Sequence, residues 1–179
     1  VGISDSEFGN AVKKAYKPTL DNLWENSPHT EIKAHGLAVG LPTDDDMGNS
    51  EVGHNALGCG QIYSQGAKLV NENIETGEIF KTETWSGLVN NCKDGKMHFL
   101  GLLSDGNVHS HINHLKALIK KAKEDGVKEV RVHALLDGRD VPETSALTYV
   151  DDIEAYMAEL NDDSFHACIA SGGGRMTIT

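Results

Sequence analysis

Ser50 stands in the run Gly48-Asn49-Ser50-Glu51-Val52-Gly53-His54, directly after Asp44-Asp45-Asp46. The segment sets a lone hydroxyl among small residues, where polar loop gives way to Asn55-Ala56-Leu57, a predicted helix. A serine at that junction receives the positive end of the helix dipole, so two uses are open to it: a helix cap, the commoner role, or an activated nucleophile. His54 follows about one helical turn later and reads as a group that orients the segment. The acidic run reads as a solvated loop, because its spacing specifies no metal site.

Further along, Arg139-Asp140 pairs a guanidinium with a carboxylate, a combination that binds phosphate or carboxylate while the acid handles a proton, or that simply makes an ion pair in a turn. His109 can hydrogen-bond a phosphate, act as acid or base, or stand as an ordinary loop histidine. Gly172-Gly173-Gly174-Arg175 offers bare backbone N–H groups beside a cation, an anion nest or a flexible turn. His111 and His114 share a helical face, but no carboxylate or cysteine nearby completes a metal set, so phosphate binding is favoured over metal binding there. His133 alternates along a strand and reads as a packed core histidine. Neither GxGxxG nor GxxxxGK[ST] occurs.

The elements that must position these groups alternate. An apolar run from Met97 to Leu103 is followed by a turn-rich loop, Ser104 to Ser110, and then by Ile112, Leu115, Leu118, Ile119 and Ala122 at helical spacing. Asp125-Gly126 stops that helix, Glu129 to Leu136 reads as a strand, Leu147 to Leu160 as a second amphipathic helix, and His166 to Ala170 as a third strand ending in the glycine-rich loop. Strands alternating with helices imply parallel pairing and right-handed crossovers, so the three following loops emerge at one carboxyl edge, where open α/β sheets bind ligands. His109, Arg139, Asp140 and Arg175 are thereby brought to one rim. The first part is less regular: a helical stretch between Ala11 and Trp24, a brief strand within Ile32 to Leu41, a boundary at Tyr63-Ser64-Gln65-Gly66, a turn at Thr76-Gly77, a short strand from Glu78 to Lys81, and a helix near Trp85 to Asn91.

With 179 residues the chain has room for one or two domains. Its 16 Lys and Arg against 27 Asp and Glu, a net charge of −11, argue against nucleic acid as a partner, though a small anion needs only a few convergent cations. No apolar run reaches membrane-spanning length, and the first residues carry no export-signal pattern. Cys59, Cys92 and Cys168 are odd in number and widely spaced, which fits a reduced, cytoplasmic setting rather than a disulfide framework or zinc ribbon.

Four ordered segments carry a resemblance: GNSEVGHNALG around Ser50, LSDGNVHSH from Leu103, LDGRD from Leu136 and ASGGGR from Ala170. Together they closely resemble the cofactor-independent phosphoglycerate mutases of the alkaline phosphatase superfamily, and the likeness runs the length of the chain. It implies part of an alkaline-phosphatase-like α/β domain over residues 1–64, followed over 65–179 by part of an inserted, mainly parallel α/β transferase domain. It further implies a small-molecule substrate, with 3-phosphoglycerate and 2-phosphoglycerate interconverted in glycolysis and gluconeogenesis through a phosphoserine at Ser50. His109, Arg139, Asp140 and Arg175 would hold substrate, Asp140 would also shuttle a proton, and Ser50 would be a metal ligand. Two divalent ions, manganese first and magnesium or cobalt otherwise, and a monomeric state complete the implication.

The same resemblance places Val1-Gly2-Ile3-Ser4 just past an Asp-Gly metal-ligand motif and Thr179 ahead of a second substrate arginine and further Asp, His and Lys ligands. The sequence therefore reads as an N-terminal fragment, inactive alone. A phosphomonoester hydrolase of the same superfamily, or a non-catalytic phosphate-binding module, are the alternatives.

Overall fold

The computed structural model describes residues 4–64 and 66–178. It falls into two compact units, residues 1–33 and 34–179. Val1-Gly2-Ile3, and Gln65 within the expected boundary, lie outside the described residues.

The first unit holds two helices, α1 (Ala11–Lys14) and α2 (Pro18–Asn26). Asn10 caps α1, its side chain accepting the Lys13 N–H at 2.9 Å, and Pro18 opens α2 at the position where a missing N–H costs nothing.

In the second unit, α3 (Ser50–Cys59), α4 (Gly66–Glu75) and α5 (Glu83–Asn91) precede the regular α/β part. That part runs β1 (Met97–Leu103), α6 (Ile112–Glu124), β2 (Glu129–Leu136), α7 (Ala146–Leu160), β3 (His166–Gly174) and the short α8 (Arg175–Ile178). The strands form one parallel sheet in the order β1-β2-β3, as the alternation predicts. One face is packed: Val130, Val132 and Ala134 of β2 meet Ile112, Ile119 and Ala122 of α6 and Ile153 and Met157 of α7. Val130, Ile119 and Ile153 are fully buried, so this cluster is the dominant hydrophobic term in the unit's stability. Trp85 of α5 joins the same cluster and donates its indole N–H to Asp125 at 2.7 Å, tying α5 to the end of α6. The opposite face carries His98, Leu100 and His133, with Leu100 73% exposed.

Four expectations are corrected. Ile32 to Leu41 holds no strand; Gly36–Val39 is a 3-10 helix between Gly36 and Gly40, whose φ values of 64° and 85° no strand uses. Glu78–Lys81 is a 3-10 helix as well, because Phe80 turns in to meet Trp85 edge-on with ring centroids 5.1 Å apart. The glycine run is strand, with Gly172, Gly173 and Gly174 paired to Ala134, Leu135 and Leu136. His133 is half-buried on the open sheet face, bonded to His98 and Ser171, and is not a core residue.

Candidate active site

The loops after β1 and β2 meet the junction of β3 with α8 at the carboxyl edge, and one carboxylate organises the three segments. Asp137, at the end of β2, has a side chain only 1% exposed. Its Oδ2 accepts the Ser104 hydroxyl at 2.7 Å from the β1 loop, and its Oδ1 accepts the backbone N–H groups of Gly138, Arg139 and Asp140 at 2.8, 3.0 and 3.1 Å. Arg175, arriving from β3, adds an Nη1 bond to the same Oδ1 at 3.1 Å. Burial alone would raise this carboxyl, but the Ser104 hydroxyl and the three N–H groups outweigh it and hold Asp137 well below the usual carboxylate range.

Asp140 is thereby turned toward a guanidinium and an imidazole. Its Oδ2 accepts from Arg175 Nη1 at 2.7 Å and lies 4.0 Å from His109 Nε2. Gly106 lets the β1 loop close over it, since a Cβ there would sit 2.8 Å from the Asp140 Cβ. Arg139 is exposed and has no side-chain hydrogen bond or ion pair with the described residues, so its guanidinium is open to an anion.

Ser50 is the first residue of α3 and not its cap; the Asn49 side chain takes that role, accepting the Val52 N–H at 3.1 Å. The serine is left exposed at the helix N-terminus. His54 Nδ1 lies 2.6 Å from the Ser50 carbonyl oxygen and 3.1 Å from Ser50 Oγ. A carbonyl only accepts, so Nδ1 carries the proton, and this nitrogen has no lone pair with which to deprotonate the hydroxyl. His54 fixes the turn rather than acting as base, in line with its spacing.

The acidic run ahead of Ser50 is not simply solvated. Asp46 accepts the Thr43 N–H and hydroxyl at 2.7 and 2.9 Å and the Asn107 side-chain N–H at 2.6 Å, which joins the serine segment to the β1 loop. Burial raises the Asp46 carboxyl, and the Asn107 and Thr43 bonds overcome that and lower it. A cleft of about 870 Å³ lies between the two segments, lined among others by Asn49, Ser50, Asn107, His109, Arg139 and Asp140. His111 instead caps α6, accepting the Asn113 N–H at 3.1 Å, and His114 bonds Asn71 of α4. No group of three or more His, Cys, Asp or Glu residues is placed to hold a metal ion among the described residues.

A family model described as BPG-independent PGAM N-terminus (iPGM_N) matches residues 70–179, more than half of the chain. The chain belongs to this family. A probable 2,3-bisphosphoglycerate-independent phosphoglycerate mutase of Leptospira interrogans is 54% identical over 97% of this chain and 32% of its own length. The 2,3-bisphosphoglycerate-independent phosphoglycerate mutase of Clostridium novyi is 51% identical over 98% of this chain and 34% of its own. A crystal structure of Leishmania mexicana phosphoglycerate mutase at low cobalt concentration superposes with a TM-score of 0.82 at 47% identity, covering 98% of this chain and 33% of that one. The chain thus spans about a third of the length of the curated relatives it matches.

Within this iPGM_N member, the residues that hold the site together are less conspicuous in sequence than those that line it. Asp137, Ser104 and Asn107 sit inside motifs already noted, without individual roles. The available signal was Asp137 itself: an Asp at a strand end followed by Gly is the pattern of a side chain that caps its own turn.

Proposed function

We propose that this chain is the N-terminal portion of a 2,3-bisphosphoglycerate-independent phosphoglycerate mutase, interconverting 3-phosphoglycerate and 2-phosphoglycerate. Residues 1–64 would belong to its phosphatase-type domain and 65–179 to its transferase domain. The observation that carries the reading is the convergence of His109, Arg139, Asp140 and Arg175 at one sheet edge, across a cleft from Ser50. Arg139 binds the phosphate or carboxylate, and Arg175 orients Asp140 toward the glycerate hydroxyls. Asn107 Oδ1, beside the cleft, is buried and without a hydrogen-bond partner among the described residues.

In the first half-reaction Ser50 Oγ loses its proton to solvent and attacks phosphorus, the P–O bond to the glycerate breaks, and the leaving oxygen takes a proton from Asp140. After the glycerate turns, Asp140 accepts the proton of the other hydroxyl, whose oxygen attacks the phosphoserine; the P–O bond to Ser50 breaks and the serine oxygen takes a proton back from solvent. His54 does not supply the serine's activation, for the reason given above. In the proposed enzyme two divalent ions, manganese or else magnesium or cobalt, would be held in part by Ser50 and would lower its pKa. No group of three or more His, Cys, Asp or Glu residues stands toward them among the described residues, and the chain alone is proposed to be inactive.

Two predictions test the binding half. Arg139→Ala is expected to weaken 3-phosphoglycerate binding about 10- to 100-fold by calorimetry, the worth of one lost charge-assisted contact; unchanged affinity removes Arg139 from the site. His54→Gln is expected to leave that affinity within about twofold, since His54 touches only the serine's own turn.

A further inference from the structure

The geometry points to His98, His133 and Ser171 as positioning residues that set the register of β3 and so deliver Arg175 to the site, an inference that rests on the reading of Arg175 as a substrate-holding residue. The ladder between β2 and β3 pairs Val132 with Ile169 and then His133 with Ser171, so Ala170 is an extra residue at a bulge. Side chains alternate along a strand, and Ala167 and Ile169 face the core. Without the extra residue Ser171 would follow them inward. With it, Ser171 faces out, and its hydroxyl lies 2.7 Å from His133 Nδ1. His133 Nε2 is in turn 2.8 Å from His98 Nδ1, and the two rings stack with centroids 5.2 Å apart.

That row spans all three strands on the open face of the sheet, and it falls where register is otherwise least defined. Beyond the bulge β3 is Gly172-Gly173-Gly174, which has no side chains to distinguish one register from the next, and such strands slip. A slip of one residue moves Arg175 by about 3.3 Å along the strand and away from Asp137 and Asp140. Neutral imidazole carries one N–H, so His133 donates along one of its bonds and accepts along the other, and a hydroxyl at the end suits either arrangement. The row is complete with a serine or threonine at 171 and with nothing smaller.

The test uses the 179-residue chain with 3-phosphoglycerate as probe, and the nuclear Overhauser contact between Ala134 and Gly172 as the direct reading of register. Ser171→Ala and His133→Phe are expected to lose that contact and to weaken binding about tenfold, while Ser171→Thr keeps both. In an Arg175→Ala background Ser171→Ala is expected to cost nothing more, because its effect passes through Arg175. Retention of the Ala134–Gly172 contact in Ser171→Ala, with affinity within about twofold of the parent, overturns the inference. If Arg175→Ala binds like the parent while Ser171→Ala still loses the contact, the register role stands and the reading of Arg175 as a ligand group falls.

Discussion

Asp137→Ala is expected to lower the unfolding free energy of the α/β unit by about 3–5 kcal/mol, because it strips one buried carboxylate from five donors and takes one carboxylate partner from the Arg175 charge. Those donors are the Ser104 hydroxyl, three consecutive backbone N–H groups and the Arg175 guanidinium. For a unit of this size the loss corresponds to a fall of roughly 10 °C in Tm. Asp137→Asn is expected to cost less, since its amide oxygen still accepts the turn N–H groups while the charge facing Arg175 is gone. The sign of the pH dependence follows from the depressed carboxyl. Its ordinary value is 3.8 and its folded value lies below that, so its contribution is fully present above that ordinary value and is lost as pH falls through the folded one. The stability gap between parent and Asp137→Asn should therefore be widest above about pH 5 and narrow below about pH 4. Thermal unfolding across that range reads both effects; a Tm for Asp137→Ala within about 2 °C of the parent contradicts them.

Ser50→Ala is expected to abolish interconversion of 3-phosphoglycerate and 2-phosphoglycerate in a polypeptide that joins this sequence to the remaining two thirds seen in its relatives. The fall should be on the order of 10⁴-fold or more, as for other enzymes that lose their nucleophile. Binding should be retained within about twofold, because Arg139, Asp140 and Arg175 are untouched. A phosphate-binding module without catalysis predicts no change on either count. A hydrolase predicts that the parent releases inorganic phosphate and forms no 2-isomer, so product analysis separates the three readings in one experiment.

The sequence made the α/β half legible and the serine half much less so. Met97 to Leu103 and Glu129 to Leu136 are apolar enough, and Ile112, Ile119 and Ala122 regular enough, that only one alternation of strand and helix fits them. That the chain leaves all three strands at one edge then follows from chirality alone. Where the reading failed, the local signal was too short to oppose a tertiary contact. Ile79 and Phe80 suit a strand or a turn equally, and the edge-on contact of Phe80 with Trp85 decided for the turn. The glycine run looked like loop because propensity speaks against glycine in strands, yet at Gly172 a side chain would press on the Ala134 carbonyl, with its Cβ 3.1 Å from that oxygen.

The candidate site divides in the same way. Groups that face the cleft, His109, Arg139 and Asp140, carry charge or titratable nitrogen in loops and stand out by type, as does Arg175 behind them at the start of α8. Groups that hold them, Asp137 and Ser104, act from burial, and burial is a property of the folded chain. Ser50 illustrates both: its type and its neighbours marked it, while the capping role that the same pattern allowed belongs to Asn49.

The proposed phosphoglycerate site unites the loops after β1 and β2 with Arg175 at the start of α8. Amide shift mapping during titration of the 179-residue chain with 3-phosphoglycerate tests it most directly. Saturable shifts are expected, concentrated in residues 104–110 and 137–140 and at Gly174 and Arg175, with smaller ones at Asn49 and Ser50 across the cleft. Saturable shifts centred elsewhere on the chain, or none at millimolar ligand, would contradict it.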